Sequence, residues 1–179
     1  QVRRLLYSLS APELLSVYEP SSIGMINFPS NIAGDGLLEN GELLDLLAKA
    51  DPKVPVLIGT NRDEMKTFLL LNDRYVRNYF RLYFQVRNKI LYEFAAKTKS
   101  LRWRVIGSDE PSIALSSAGV PVYRYSFDFD DHPSILGLDL QYLLGAAHGI
   151  ELEFVFGRFD LDVGFNLLWS GSNKGLREA

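Results

Sequence analysis

The sequence predicts an α/β fold in which a mostly parallel central sheet is flanked by helices. Three features predict it. Val54 to Thr60 is a continuous apolar run rich in β-branched residues, the pattern of a strand buried on both faces of a parallel sheet. That run passes through the polar turn Asn61-Arg62-Asp63-Glu64 into Met65 to Leu71, where the spacing turns helical. A second strand pattern, Pro121 to Phe127, follows after a stretch that reads mainly as helix.

The elements fall in order along the chain. Ser10-Ala11-Pro12-Glu13 is a capping-box pattern and predicts a short helix. Residues 19–40 are rich in Pro, Ser, Asn and Gly and read as a long loop. Gly41 to Ala50 sets Leu43, Leu44, Leu46 and Leu47 at helical spacing, and Asp51-Pro52 ends that helix. Residues 64–120 form the predicted helical segment between the polar turn and the second strand. Within it, Val76, Tyr79, Phe80, Tyr83, Val86, Ile90 and Phe94 recur at three- and four-residue steps, predicting a helix over Asp73 to Phe94. Asp109-Glu110-Pro111 opens another, closed at Gly119. Asp139 caps a further helical turn, which leads into the glycine-bounded loop Gly145-Ala146-Ala147-His148-Gly149. A short apolar piece, Phe154-Val155-Phe156, ends at Gly157.

Composition narrows the classes of function. The 179 residues suffice for one domain with a sizeable core, and a 47% hydrophobic content with net charge −3 excludes a disordered or fibrous chain. No apolar run approaches the ~20 residues of a bilayer-spanning helix, so no membrane span is expected. Cysteine is absent, which removes disulfides, thiolate metal ligands and a cysteine nucleophile. The opening Gln1-Val2-Arg3-Arg4 lacks a signal-peptide pattern, and Lys174 to Ala179 reads as a helix just starting; the chain is expected to be part of a longer product. Nine of the nineteen basic residues lie between Asp73 and Arg104, and eight acids lie between Asp128 and Asp162. A solvated helix face matched internally to the acidic block accounts for this, so no nucleic-acid partner is expected.

Few residues can carry chemistry. His132, in Asp130-Asp131-His132-Pro133, fits no standard metal spacing and reads as part of a polar turn. His148 lies between small residues, which leave its imidazole room to meet another group; spacing alone leaves a structural or a functional role open. Glu64 and Asp63 lie just past the C-terminal end of the first strand, where open α/β sheets place their sites. Either carboxylate could equally favour the N-terminus of the next helix through its dipole. No Gly-x-Ser-x-Gly occurs: Leu115-Ser116-Ser117-Ala118-Gly119 has leucine where the first glycine belongs. There is no glycine-rich phosphate loop or dinucleotide fingerprint, and no metal or cofactor is expected.

Three segments together resemble the type-B carboxylesterases, the cholinesterase-like branch of the α/β-hydrolases. Val56 to Glu64 is similar to the family's strand and acid turn, Pro121 to Asp128 to its next core strand, and Gly145 to Gly157 to its histidine segment. Gly34-Asp35-Gly36 is a weaker match, and Met65 stands where the family often has glycine. The resemblance implies that residues 1–179 are the C-terminal portion of one α/β-hydrolase domain. It implies catalytic roles for Glu64 and His148 in a Ser-Glu-His triad, with Asp63 a structural partner. The nucleophilic serine would come from an N-terminal segment of the same esterase, either outside residues 1–179 or on a partner chain, and the substrate would be a small-molecule carboxylic ester. The alternative is a non-catalytic, esterase-like binding or adhesion protein that has lost the nucleophile.

Overall fold

The computed structural model describes residues 2–18, 39–51, 53–80 and 83–157. The chain divides into two units, Gln1–Asn40 and Gly41–Ala179. Residues 19–38 of the expected loop over residues 19–40, including Gly34-Asp35-Gly36, and the C-terminal stretch from residue 158 lie outside the described residues.

In the first unit, α1 spans Val2–Ser8 and α2 spans Ala11–Leu15. The Ser10 hydroxyl accepts from the Glu13 amide, while the Glu13 carboxylate accepts from the Ser10 amide at 2.7 Å. This closes the capping box that the sequence predicts.

The second unit carries the parallel strand pair. Helix α3 (Leu43–Leu47) precedes β1 (Val56–Asn61), and β1 pairs in parallel with β4 (Val122–Phe127) from Val56↔Val122 to Asn61↔Phe127. Parallel neighbours need a long crossover, which residues 62–121 supply. Gly59 is needed at its place in the pair. A Cβ there would lie 2.5 Å from both the ring and the carbonyl oxygen of Tyr125.

The expected burial of β1 on both faces is not found. Leu57 is 72% exposed and its register partner Tyr123 is 64% exposed. The first part of that face is therefore apolar and exposed, while Asn61 and Phe127 at its other end are covered; parallel sheets normally have both faces covered.

The crossover corrects the sequence reading at its centre. Residues 73–94 do not form one helix. After α4 (Lys66–Leu70), β2 (Val76–Tyr79) and β3 (Tyr83–Val86) make an antiparallel hairpin with Val76 opposite Val86. Helix α5 (Lys89–Arg104) starts only after Asn88, whose side chain accepts from the Leu91 amide at 3.0 Å. The physical reason lies in the residue types. Valine, tyrosine and phenylalanine pack well on a pleated strand, so their spacing fits either structure. Burial separates the two: Ile90 and Phe94, placed on the apolar face of the predicted helix, are exposed, while Tyr92, Ala95 and Ala96 face the core.

Nor does Asp109 open a fresh helix. Helix α5 runs through a π-helical turn (Val105–Asp109) straight into α6 (Glu110–Ser117), and the Asp109 side chain makes no cap. Its carboxylate pairs instead with Arg104 at 3.4 Å and with Arg124. The widened turn comes just before Pro111, which has no N–H to continue the ladder. Gly119, at φ 80°, follows the end of α6 as expected.

Beyond β4, the two-residue strands β5 (Ser134–Ile135) and β6 (Leu138–Asp139) lead to α7 (Leu140–Leu144) and then α8 (Glu151–Phe156). Asp139 caps α7, accepting from the Tyr142 amide at 2.9 Å. The main core gathers Leu69, Tyr75, Val76, Tyr92, Ala95 and Ala96. Tyr92 is fully buried and donates its hydroxyl to the Leu143 carbonyl at 2.6 Å, which docks α5 against α7. Among the described residues no helix is long and apolar enough to cross a membrane.

Candidate functional site

The site lies where β1 ends and α8 begins. At the C-terminal end of β1 the chain turns through residues 62–65. Glu64 is 4% exposed, and its Oε1 accepts from the Asn61 amide at 2.8 Å. The turn thereby binds its own carboxylate and fixes where the second oxygen points.

The loop from Gly145 to Gly149 is fastened to this turn. The Asp63 amide donates to the Ala146 carbonyl at 2.9 Å, and the Ala146 amide donates to Asp63 Oδ2 at 3.2 Å. Asn61 Nδ2 donates to the Ala147 carbonyl at 2.8 Å and also to the Glu151 carboxylate. The Thr67 hydroxyl donates to the His148 carbonyl at 3.3 Å. Gly145 makes this approach possible. It sits at φ 53°, and a side chain there would collide with the Asp63 carboxylate. Both its backbone geometry and its surroundings demand glycine.

The outcome is a carboxylate–imidazole pair, with His148 Nδ1 2.7 Å from Glu64 Oε2. Burial divides the pair unequally, with 6% of the Glu64 side chain exposed and 37% of His148. The Glu64 hydrogen bond raises the His148 pKa above its ordinary 6.5 by favouring the imidazolium; burial opposes it, and the charges of Glu64 and Glu151 add to it. With Nδ1–H committed to Glu64, Nε2 is the basic nitrogen of the neutral ring.

Aromatic side chains wall the imidazole. The rings of Phe68 and Trp103 lie 5.2 and 5.5 Å from that of His148 and stack on each other at 5.9 Å. Sequence reasoning missed both. Phe68 stands four residues after Glu64, a helical spacing that could have flagged it; nothing in the sequence points to Trp103. It also missed Asn61, which ties the turn, the loop and α8 together.

The other candidates lie apart from this pair. Asp63 turns its carboxylate to the Ala146 amide and to the Arg62 guanidinium, 2.8 Å away, and Arg62 also pairs with Asp130. His132, read from the sequence as part of a polar turn, is buried. It is 6% exposed, and its Nε2–H donates to the Gly145 carbonyl at 2.8 Å, bracing the start of the histidine loop. Ser117 ends α6 and donates its hydroxyl to the Ala114 carbonyl at 2.6 Å, between a helix and a strand in the reverse order to an elbow. No cluster of three metal-ligating side chains occurs among the described residues.

This is a mixed α/β chain with a small parallel sheet, bearing a hydrogen-bonded acid–base pair just past a strand's C-terminal end. Models of known protein families give no match to it, and no curated protein matches it.

Proposed function

We propose that this chain supplies the acid and the base of a serine ester hydrolase of the type-B carboxylesterase kind, built on an α/β-hydrolase fold. The observation that carries the reading is the 2.7 Å bond between Glu64 and His148. The two residues come from segments 84 positions apart, and the bond holds the imidazole with one nitrogen tied and the ring partly open.

In this reading Glu64 fixes the tautomer of His148 and stabilises its charged form. His148 Nε2 takes the proton of a serine hydroxyl as that oxygen attacks the ester carbonyl. The tetrahedral adduct collapses, and the imidazolium returns the proton to the departing alkoxide. Water then gives a proton to Nε2 and attacks the acyl-serine. Collapse releases the carboxylic acid and restores the serine. In this reading the serine belongs to an N-terminal segment of the same esterase, as the resemblance to the type-B carboxylesterases implies.

The test uses this chain joined to that segment. His148→Ala should lower turnover of 4-nitrophenyl acetate by roughly 10³ or more. A fluorophosphonate probe should label the serine in the parent protein and fail to label it in the variant. Unchanged turnover would remove His148 from the chemistry.

A further inference from the structure

A cavity of about 420 Å³ lies beside the acid–base pair, lined by Met65, Lys99, Arg102, Trp103, Ile106 and Gly107. Its size falls within the range of small-molecule sites. Trp103 is the wall it shares with the pair, since the same ring lies 5.5 Å from the His148 ring. Met65 adjoins Glu64 in sequence. The cavity therefore adjoins, through Trp103 and Met65, the place where the proposed chemistry occurs.

Its lining has two kinds of chemistry. Met65, Trp103 and Ile106 are apolar. Lys99 and Arg102 are cationic, and neither forms an ion pair with a carboxylate among the described residues. Their neighbour Arg104, by contrast, is paired with Asp109. Lys99, Arg102, Trp103 and Ile106 fall at helical steps along one stripe of α5 and its π-helical turn. That turn also brings in Gly107. A Cβ on Gly107 would stand 3.8 Å from Trp103 Cδ1 and 3.9 Å from Nε1, so the indole N–H edge faces it. An apolar hollow with two cations and an indole donor suits an apolar group tipped with an anion.

We propose that this cavity binds an apolar chain or ring ending in a carboxylate, and so selects anionic esters. That the ligand is an ester rests on the proposed triad; the anion preference rests on the cavity alone.

The experiment is a fluorescence titration of the chain carrying Trp169→Phe, which leaves Trp103 as the reporter. The probes are 4-phenylbutyrate and its neutral counterpart 4-phenylbutan-1-ol. The carboxylate should bind about tenfold tighter, the yield of one or two charge-assisted hydrogen bonds. Added salt should weaken the carboxylate alone. Both cations are exposed, so Lys99→Gln with Arg102→Gln should leave the chain folded and abolish the preference. Gly107→Leu, which fills the cavity, should weaken both probes. Equal affinity for the two probes, no binding of either, or indifference to Gly107→Leu would overturn the proposal. Anion binding without ester hydrolysis by the joined protein would sink the triad reading and leave this one standing. Hydrolysis without anion preference would do the reverse.

Discussion

His148 and His132 are the only histidines, and their surroundings drive them in opposite directions. The Glu64 hydrogen bond raises His148 above 6.5. Burial lowers His132, partly offset by the Gly145 carbonyl and by the charges of Asp130 and Asp131. Proton NMR of the imidazole C2 protons should therefore give one midpoint above 6.5 and one below it. Glu64→Gln should drop the upper midpoint and leave the lower one in place. An upper midpoint that stays put in that variant would separate the shift from the carboxylate. Stability follows the same signs. The His148 contribution is full below pH 6.5 and is lost as pH rises through its raised value. The His132 contribution is full above pH 6.5 and falls away in acid, because the unfolded chain then binds a proton the folded one refuses. If His148 is the base of the proposed triad, hydrolysis by the joined protein should rise with pH through the His148 midpoint, because only the neutral ring can take a proton.

The hairpin β2–β3 shows how far local sequence carries an element. The turn after β1, the capped starts of α2 and α7, and the glycine-bounded loop before α8 were legible because their chemistry is local: a proline, a capping hydroxyl or carboxylate, a glycine. The hairpin was not, because aromatic and β-branched residues at mixed spacing satisfy two structures, and the choice falls to which face meets the core. Val76 is 1% exposed and Phe94 is 67% exposed. Val76→Ala should cost about 1–3 kcal/mol in chemical denaturation, whereas Phe94→Ala should stay within about 0.5 kcal/mol. A single helix over 73–94 with both residues on its apolar face would penalise both. Gly59 sets a second test at this scale. Gly59→Ala forces a methyl group onto the Tyr125 backbone and should cost about 1–3 kcal/mol, since a strand ladder cannot shift as a flexible side chain can. The aromatic walls of the candidate site were beyond sequence reasoning for a related reason. Phe68 and Trp103 meet His148 only because separate helices converge, and the pairing of Glu64 with His148 itself rested on resemblance.

Taken whole, the molecule holds a parallel strand pair with the first part of one face apolar and exposed. Leu57, Tyr123 and Tyr125 lie on that face in register. If the serine-bearing segment of the proposed function covers this face, the two meet at Leu57 and Tyr123. Leu57→Lys with Tyr123→Lys should then abolish hydrolysis by a mixture of the two pieces. The same change should leave the His148 midpoint unmoved, since it lies away from the Asn61–Glu64 turn. Loss of the raised midpoint would instead place the damage inside this chain.

The fastening of Asp63 to Ala146, and of Asn61 to Ala147, also has a consequence in time. Both ends of the Glu64–His148 bond are anchored within one chain, so the pair exists before any second piece arrives. If the proposed function holds, mixing with a serine-bearing piece should give activity without a lag. Its initial rate should scale with the product of the two concentrations, as for an encounter of folded bodies, and not level off at the speed of an internal rearrangement.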